Sequence, residues 1–283
     1  MLAAAVMLFL MNYILPFVAQ KSGPEYDSIV DGALIFAPDG NGLAYEAQDG
    51  DKKVVVLGGE PGPEYDDIYL DLYQPTTIFS PDGKRMAYLG ERDKKSYIVI
   101  NSQVVAEYDG VFESISDPII FSPDSKHLAY QSLHWDKQSV VKDGQNGAEY
   151  DSIAQLTFSP DGNHLAYVAN KSKKPLVVVD GRDGPEFDGS IGLWKFSPDN
   201  KHLAFEVTIG IGGPDFPWES LKLPYKPVEG VKEFVGVDGQ VGPQYDRIFS
   251  NHMRDQAFSP DGVLEFLAVK EGSLYRVEYI PLK

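Results

Sequence analysis

The stretch that decides the fold reads Phe-Ser-Pro-Asp-Gly at 158–162 and continues, two residues later, as Leu-Ala-Tyr at 165–167. Proline presets φ at the second position of a type I turn, and glycine relieves the fourth position. In the returning strand Leu165 and Tyr167 lie on one face and Ala166 on the other. The stretch therefore predicts a tight β-hairpin.

The same hairpin signature recurs along the chain, with starts 43, 42, 37, 38 and 62 residues apart. Its six copies begin at Phe36, Phe79, Phe121, Phe158, Phe196 and Phe258. A second motif, Gly-Pro-Glu-Tyr-Asp, alternates with it and places an aromatic ring at Tyr26, Tyr65, Tyr108, Tyr150, Phe187 and Tyr245. Fixed alternation at a period of roughly 40 residues predicts a repeat architecture.

Each repeat contains four candidate strands. An apolar run such as 54–56 follows the hairpin and predicts a strand buried on both faces. An Asp-Gly turn, as at 180–181, leads to Glu-Tyr-Asp-x-Ile, which we predict to be the fourth strand. Its flanking acids suit a sheet edge that must not pair with another molecule. Four antiparallel strands per repeat are typical of a β-propeller blade, and a proline in every unit excludes helical repeats.

The chain ends predict how the ring closes. The last repeat lacks a Glu-Tyr-Asp, whereas the first one, at 25–27, has no Phe-Ser-Pro-Asp before it. We therefore expect an all-β chain whose residues 21–283 form a six-bladed propeller of four-stranded antiparallel blades. In this arrangement the N-terminal strand completes the last blade.

The repeat resembles that of the WD40-like (TolB-like) bacterial six-bladed β-propellers, and the resemblance covers residues 23–283. It implies the propeller fold. It implies little about function, because that group includes interaction scaffolds, peptidase propeller domains and several enzymes. TolB itself has an additional domain before its propeller, and this chain has no segment long enough to be one.

Residues 1–20 contain no charged side chain. Such a run is a candidate membrane span, although it lacks the basic start of a secretory signal. An uncleaved signal-anchor, a cleaved signal peptide and a mis-assigned start or fragment of a longer chain are all open. The first two place the protein outside the cytoplasm, as a periplasmic, secreted or membrane-anchored protein. Membrane contact is then expected only through this segment.

The charge of the chain is strongly acidic. Its 283 residues carry 25 Lys+Arg against 42 Asp+Glu, a net charge of −17. This argues against nucleic acid and anionic lipid as partners of the whole body. Much of this acidity comes from the two repeated motifs, which supply 17 of the 42 acidic residues. With no cysteine, disulfides and thiolate zinc sites are excluded.

The histidines and acids of the repeat do not predict a metal site, and no cofactor is expected. His127, His164 and His202 share one repeat position, which Arg85 and Gly42 fill elsewhere, so a surface role at the start of a strand is favoured. The aspartates of Pro-Asp and of Tyr-Asp are expected to cap their own turns. No Gly-x-Ser-x-Gly elbow, P-loop or dinucleotide motif is present.

Segments that depart from the repeat are the candidates for function. The fifth repeat carries an aromatic-rich insertion at 209–232, which either covers its own propeller or serves as a partner-binding arm. Loops at 70–74, 133–136 and 250–254 are predicted on the same face. Together they give the candidate binding residues Tyr73, His134, Trp135, Trp218, Tyr225, His252 and Arg254.

The sequence favours a non-catalytic interaction module that binds a protein, a peptide or a glycan on this face. The alternative is an enzyme, a metal-assisted lactonase or lyase with its site in the central channel. That alternative needs inward-pointing acids or amides, for which Asp117, Gln155, Asp255 and Gln256 are the available residues. A structural ring within a larger envelope assembly is a third possibility.

Overall fold

The computed structural model describes residues 25–69, 79–109, 119–209, 231–249, 258–259 and 262–279. The regular secondary structure of this part of the chain consists of 23 β-strands, with no helix. Among the described residues, therefore, no helix is long and apolar enough to cross a membrane. The apolar leader at 1–20 and most of the insertion at 209–232 lie outside the described residues.

The chain divides into two compact units, 1–107 and 108–283. The first unit contains sheets 1 and 2, whose neighbouring strands are antiparallel and follow chain order. Sheet 1 consists of β1 (Ser28–Phe36), β2 (Leu43–Asp49), β3 (Lys52–Leu57) and β4 (Glu60–Tyr65). Sheet 2 consists of β5 (Asp67–Tyr69), β6 (Ala87–Arg92), β7 (Lys95–Ile100) and β8 (Gln103–Asp109), which ends just beyond the division.

The second unit contains four sheets of the same kind. Sheet 3 holds β9 (Ile119–Phe121), β10 (Leu128–His134), β11 (Lys137–Lys142) and β12 (Gln145–Asn146). Sheet 4 holds β13 (Ser152–Phe158), β14 (Leu165–Lys171), β15 (Lys174–Val179) and β16 (Arg182–Glu186). Sheet 5 holds β17 (Ser190–Phe196), β18 (Leu203–Ile209), β19 (Lys232–Val237) and β20 (Gln240–Tyr245). Sheet 6 holds β21 (Arg247–Ile248), β22 (Leu264–Lys270) and β23 (Ser273–Tyr279).

The turn predicted from Ser-Pro-Asp-Gly is confirmed. The Gly162 N–H donates to the Ser159 carbonyl at 2.8 Å, and Gly162 has φ of 79°. The equivalent bond closes the turn in the other five copies, although Ser125 and Asn200 replace glycine in two of them. Glycine is therefore not required to close the turn.

The prediction of the fourth strand is wrong at the C-terminal end of that strand. β4 stops at Tyr65, and Ile68 belongs to β5 of the next sheet, where it pairs with Gly90. Asp66 separates the two strands, because its N–H donates to the Glu91 carbonyl at 2.7 Å and turns the chain into the new sheet. The edge position is confirmed, since β4, β8, β12, β16 and β20 each lie last in their sheets.

The second motif provides contacts between successive sheets. Its aromatic ring lies against a tyrosine or phenylalanine ring in the second strand of the following sheet. The ring centroids are 6.2 Å apart for Tyr65–Tyr88, 6.1 Å for Tyr150–Tyr167, 5.9 Å for Phe187–Phe205 and 5.7 Å for Tyr245–Phe266. Interplanar angles of 60–88° make these edge-to-face pairs, the favourable geometry for aromatic contacts. The hydrophobic core is therefore built from layers between sheets.

The prediction of four-stranded sheets holds for five of the six sheets that the described residues form. Sheet 6 has three strands, and its last strand, β23, exposes Leu274 and Tyr275 by 65% and 46%. Glu25 and Tyr26, from the segment predicted to complete this sheet, precede β1 and are assigned to no strand. Ring closure by the N-terminal strand therefore stays a prediction.

Candidate functional site

Two of the seven predicted binding residues, His134 and Trp135, lie in the described part of the chain. Tyr73, Trp218, Tyr225, His252 and Arg254 lie outside it. Whether all seven share one face stays a prediction, and the candidate site is therefore built around the hairpin that carries Trp135.

Trp135 stands at the tip of the hairpin between β10 and β11. His134 pairs with Lys137 across a turn of only two residues. The Trp135 side chain is 83% exposed and meets the His134 ring edge-on, with centroids 6.3 Å apart and planes at 89°. Most of the indole therefore remains available to a ligand or partner.

The backbone at Trp135 has φ of 57°, a left-handed conformation. Gly, Asn and Asp suit such a position, whereas a bulky residue there costs about 1–2 kcal/mol. In the corresponding described turns the first turn residue is polar or glycine: Gly50, Asp93, Ser172 and Glu271. Neither turn geometry nor core packing accounts for tryptophan at this position, which makes it the strongest functional candidate in the described chain.

The Trp135 hairpin is fixed to its neighbour through Asp151. The Lys137 ammonium lies 2.5 Å from one carboxylate oxygen, and the Ser172 N–H donates to the other at 2.6 Å. These bonds hold the pKa of Asp151 below its usual value. The carboxylate thus joins β11 of sheet 3 to the hairpin between β14 and β15 of sheet 4.

The role predicted for the Tyr-Asp aspartates therefore needs correction. Asp66, Asp151 and Asp246 each bond a lysine of the preceding sheet and a hairpin of the following sheet, rather than capping their own turns. Asp246 repeats the arrangement of Asp151, with Lys232 Nζ at 2.9 Å and the Glu271 N–H at 2.6 Å. The sequence alone could not show this, because the partners lie 14 and 25 residues away.

The neighbouring hairpin, which we call the basic hairpin (residues 171–174), carries three lysines and no acid. Lys171 lies 3.5 Å from Asp183, and Lys174 lies 3.0 Å from Asp188. Lys173, exposed at the turn with φ of 66°, forms no ion pair with any described residue. The hairpin beside Trp135 therefore offers a free positive charge.

The repeat-position histidines have structural partners. His127 Nδ1 lies 2.6 Å from Asp143, whose other carboxylate oxygen accepts the Leu128 N–H at 3.0 Å. His164 and His202 repeat this contact with Asp180 and Asp238. Each pair links the start of the second strand to the turn after the third. Among the described residues, no group of three or more His, Asp or Glu is arranged to hold a metal ion.

Of the residues proposed for a channel enzyme, Gln155 alone lies in the described part of the chain. Gln155 lies exposed in an irregular stretch of β13 with φ of 56°. Asp117, Asp255 and Gln256 lie outside the described residues. The channel-enzyme alternative therefore stays an untested prediction.

A cleft of about 580 Å³ lies between sheets 3 and 4, where its charged lining residues include Lys142, Asp143 and Asp180. These groups already have partners. Lys142 donates to the Asn163 carbonyl at 3.2 Å and lies over the Phe158 ring, whereas the two aspartates bond histidines. We therefore take Trp135 and its neighbours, rather than this cleft, as the candidate site.

No protein-family model and no curated protein matches the chain. Similar solved structures include Kuenenia stuttgartiensis hydrazine synthase, at 16% identity and a TM-score of 0.41, covering 87% of this chain and 76% of that one. They also include TolB from Acinetobacter baumannii, at 18% identity and a TM-score of 0.35, covering 76% of this chain and 53% of that one. A third is the β-propeller domain of the trilobed protease from Pyrococcus furiosus, at 12% identity and a TM-score of 0.41, covering 90% and 82%.

TolB and a β-propeller domain thus stand among the similar structures, in agreement with the TolB-like resemblance of the repeat. The chain spans about half the length of that TolB. At these identities and TM-scores, the fold assignment depends on the sheets and the repeat described above. The function must be argued from the site itself.

Proposed function

We propose that this chain is a non-catalytic, extracytoplasmic interaction module that binds a protein or peptide through the Trp135 hairpin. The observation that carries the proposal is the exposed indole of Trp135, held at the tip of a two-residue turn in a conformation that disfavours bulky residues. A side chain placed in this way contributes nothing to the core of its own sheet. Its contribution lies in contact with another molecule.

The energetics of tryptophan suit this role. A tryptophan can bury 150–250 Å² on contact, which is worth about 4–6 kcal/mol at ~25 cal/mol per Å² before the costs of association. Tryptophan is also among the residues most enriched at binding hot spots. Because the two-residue turn and the Asp151 bonds restrain the hairpin, little further ordering is needed on binding.

The proposal also includes the predicted wider binding surface, the closure of the ring and the role of the leader. Tyr73, Trp218, Tyr225, His252 and Arg254 are proposed to extend the surface around His134 and Trp135. The six sheets are proposed to form one ring, which residues 23–26 close by adding the fourth strand to sheet 6. The leader at 1–20 is proposed to direct the chain out of the cytoplasm.

Site-directed photo-crosslinking tests the proposal. A photoreactive phenylalanine analogue is placed at position 135 of the full chain, and a membrane fraction from the expressing cells is irradiated. We expect one dominant cross-linked protein, identified by mass spectrometry. The matched control carries the same group at Lys94, in the corresponding turn of sheet 2. Identical products from both positions, or none from position 135, contradict the proposal.

A further inference from the structure

The fourth strand of sheet 2 differs from those of the other four-stranded sheets. β4, β16 and β20 each carry a Gly-Pro step, at 62–63, 184–185 and 242–243. β12 ends after two residues and is followed by Gly147. β8 extends over seven residues and contains neither glycine nor proline, because Val105 and Ala106 take the place of the Gly-Pro step.

A Gly-Pro step protects the edge of a sheet, where unpaired N–H and C=O groups can bond another strand. The pairing of β4, β16 and β20 with the third strand also shifts in register, which distorts the edge further. β8 lacks the proline and exposes the apolar side chains of Val104 and Val105 by 46% and 48%. Its only neighbour among the described strands is β7. A long apolar edge of this kind is typical of a place where another strand adds to the sheet.

Comparison of the fourth strands indicates which backbone groups of β8 point outward. Proline stands at the position of Ala106 in β4, β16 and β20, so the third strand does not use the N–H at this position. In a regular antiparallel strand, the groups that point to one neighbour recur at every second residue. Val104 and Ala106 therefore offer their backbone groups to a new strand, whereas those of Val105 point toward β7.

The residues of β8 are complementary to the same residues of a second copy. In an antiparallel pair centred on Val105, Val104 of each copy lies opposite Ala106 of the other, and the two Val105 side chains meet. Glu107 then lies opposite Gln103, whose amide can donate to the carboxylate. A parallel pair would place Glu107 beside its own copy, where like charges repel. From this self-complementarity we infer that two copies of the chain pair antiparallel along β8, about a two-fold axis at Val105.

The net charge of −17 does not prevent this pairing. Residues 101–106 are uncharged, and Glu107 already bonds Lys95 of its own sheet at 2.5 Å. Exposed charges more than about 8 Å apart are largely screened at physiological salt. The pairing is independent of Trp135 and goes beyond the proposed function.

Cysteine cross-linking of the purified full chain tests the inference. At the centre of the antiparallel pair, the two Val105 Cα atoms are expected about 4.5 Å apart, a separation that a disulfide can bridge. The chain has no cysteine of its own. We therefore expect Val105→Cys to form a covalent dimer under mild oxidation, detected on a non-reducing gel.

Two controls carry the thiol at other exposed valines. Val104→Cys is the matched control, because its counterpart in the second copy lies two residues, about 7 Å, further along the neighbouring strand. That displacement adds to the distance between the strands and exceeds the reach of a disulfide. Val241→Cys lies on β20, an edge strand that keeps its Gly-Pro step. Both variants are expected to form at least about tenfold less covalent dimer than Val105→Cys.

A proline variant tests the role of the strand edge itself. Ala106→Pro gives β8 the proline of β4, β16 and β20 and removes the N–H that bonds Val104 of the second copy. We expect Val105→Cys combined with Ala106→Pro to stay monomeric, and Ala106→Pro alone to abolish the dimer seen by sedimentation velocity. The urea unfolding midpoint of the proline variant verifies that it folds.

Other outcomes overturn the inference. It is wrong if Val105→Cys stays monomeric, or if Val104→Cys cross-links equally well, as it would in a parallel pair. It is also wrong if Ala106→Pro folds and still dimerises, since the contact then lies elsewhere. A Val105→Cys chain that cross-links to a different protein in a membrane fraction, and forms no dimer, assigns the edge to another partner and rejects the pairing of two copies.

Discussion

In four of the Ser-Pro-Asp turns the serine is a buried residue whose hydroxyl joins the two ends of the turn. Ser159 is fully buried, donates to Asp161 at 2.6 Å and accepts the His164 N–H at 3.0 Å. The same two contacts occur at Ser80, Ser122 and Ser197. In sheet 1 the position is taken by Ala37, which is also buried. The hydroxyl therefore adds polar bonds to a site that accepts an apolar side chain.

We predict that Ser159→Ala lowers the free energy of unfolding by about 1–3 kcal/mol, because the His164 N–H loses its side-chain acceptor in a partly buried turn. Urea denaturation of the two proteins measures the difference. Ser172→Ala is the matched control, since Ser172 is exposed and only its backbone N–H bonds Asp151. Equal losses from both substitutions would show that the buried hydroxyl has no special role.

The aspartate of the same turn makes stability depend on acid pH. Bonds from the Ser159 hydroxyl and from the side chain and backbone of Asn163 lower the pKa of Asp161 to about 2. The unfolded value is about 3.9, so this group stabilises the fold above that pH and loses its effect as pH falls toward 2. We predict a smaller fall in the unfolding midpoint between pH 4 and pH 2 for Asp161→Asn than for the wild type. Parallel curves would contradict the prediction.

Pairs of aromatic rings between successive sheets set tight limits on the glycines beneath them. In sheet 5 a Cβ at Gly236 would lie 2.2 Å from the Phe205 ring, which in turn meets Phe187 at 5.9 Å. Gly192, in the first strand of the same sheet, has open space at the corresponding point. One sheet therefore contains both a crowded glycine and an unobstructed one.

We predict that Gly236→Ala destabilises the chain by about 1–3 kcal/mol, because Phe205 must leave its position. Gly192→Ala is expected to be neutral or to stabilise by up to about 1 kcal/mol, since it removes the backbone freedom of glycine in a strand. Thermal unfolding of the two variants measures the effects. A stable Gly236→Ala variant would mean that the Phe187–Phe205 pair is not fixed as described.

The sequence predicted the strands and turns of each sheet well, because hydrophobic periodicity and proline-containing turns are local signals. It placed Ile68 and Ile248 in the wrong sheet, since the change of sheet at Asp66 and Asp246 depends on bonds to distant hairpins. It also gave no role to the rings of the second motif, whose partners lie in the next repeat. At the candidate site it identified Trp135 as an exposed aromatic, but the left-handed backbone there leaves no sequence signal.

Sheet 6 lacks a lysine that the other five sheets share. In sheets 1 to 5 the third strand begins with lysine: Lys52, Lys95, Lys137, Lys174 and Lys232. Lys52, Lys137, Lys174 and Lys232 bond the aspartate that follows the ring of the second motif. Sheet 6 has Ser273 at this position, and its third strand has no neighbour on the outer side among the described strands. If residues 23–26 occupy that side, strand pairing rather than a lysine must hold them.

The pairing register can be predicted from the other sheets. Val54 pairs with Glu64 in sheet 1, and Phe234 pairs with Gln244 in sheet 5. The equivalent pair at the proposed closure is Tyr275 with Glu25. Opposite residues in an antiparallel pair have Cα atoms about 4.5–5.5 Å apart, within the range that a disulfide can bridge. The chain has no cysteine of its own, so an introduced pair reports on this contact alone.

We predict that Glu25→Cys combined with Tyr275→Cys forms an intramolecular disulfide in the full chain, detected as faster migration on a non-reducing gel. The control combines Glu25→Cys with Glu278→Cys, which lies three residues further along β23 and about 10 Å out of register. That pair is expected to stay reduced, because a disulfide requires Cα atoms within about 7 Å. Oxidation of both pairs would indicate a mobile N-terminal segment. If neither oxidises, the open edge of sheet 6 is available to another chain.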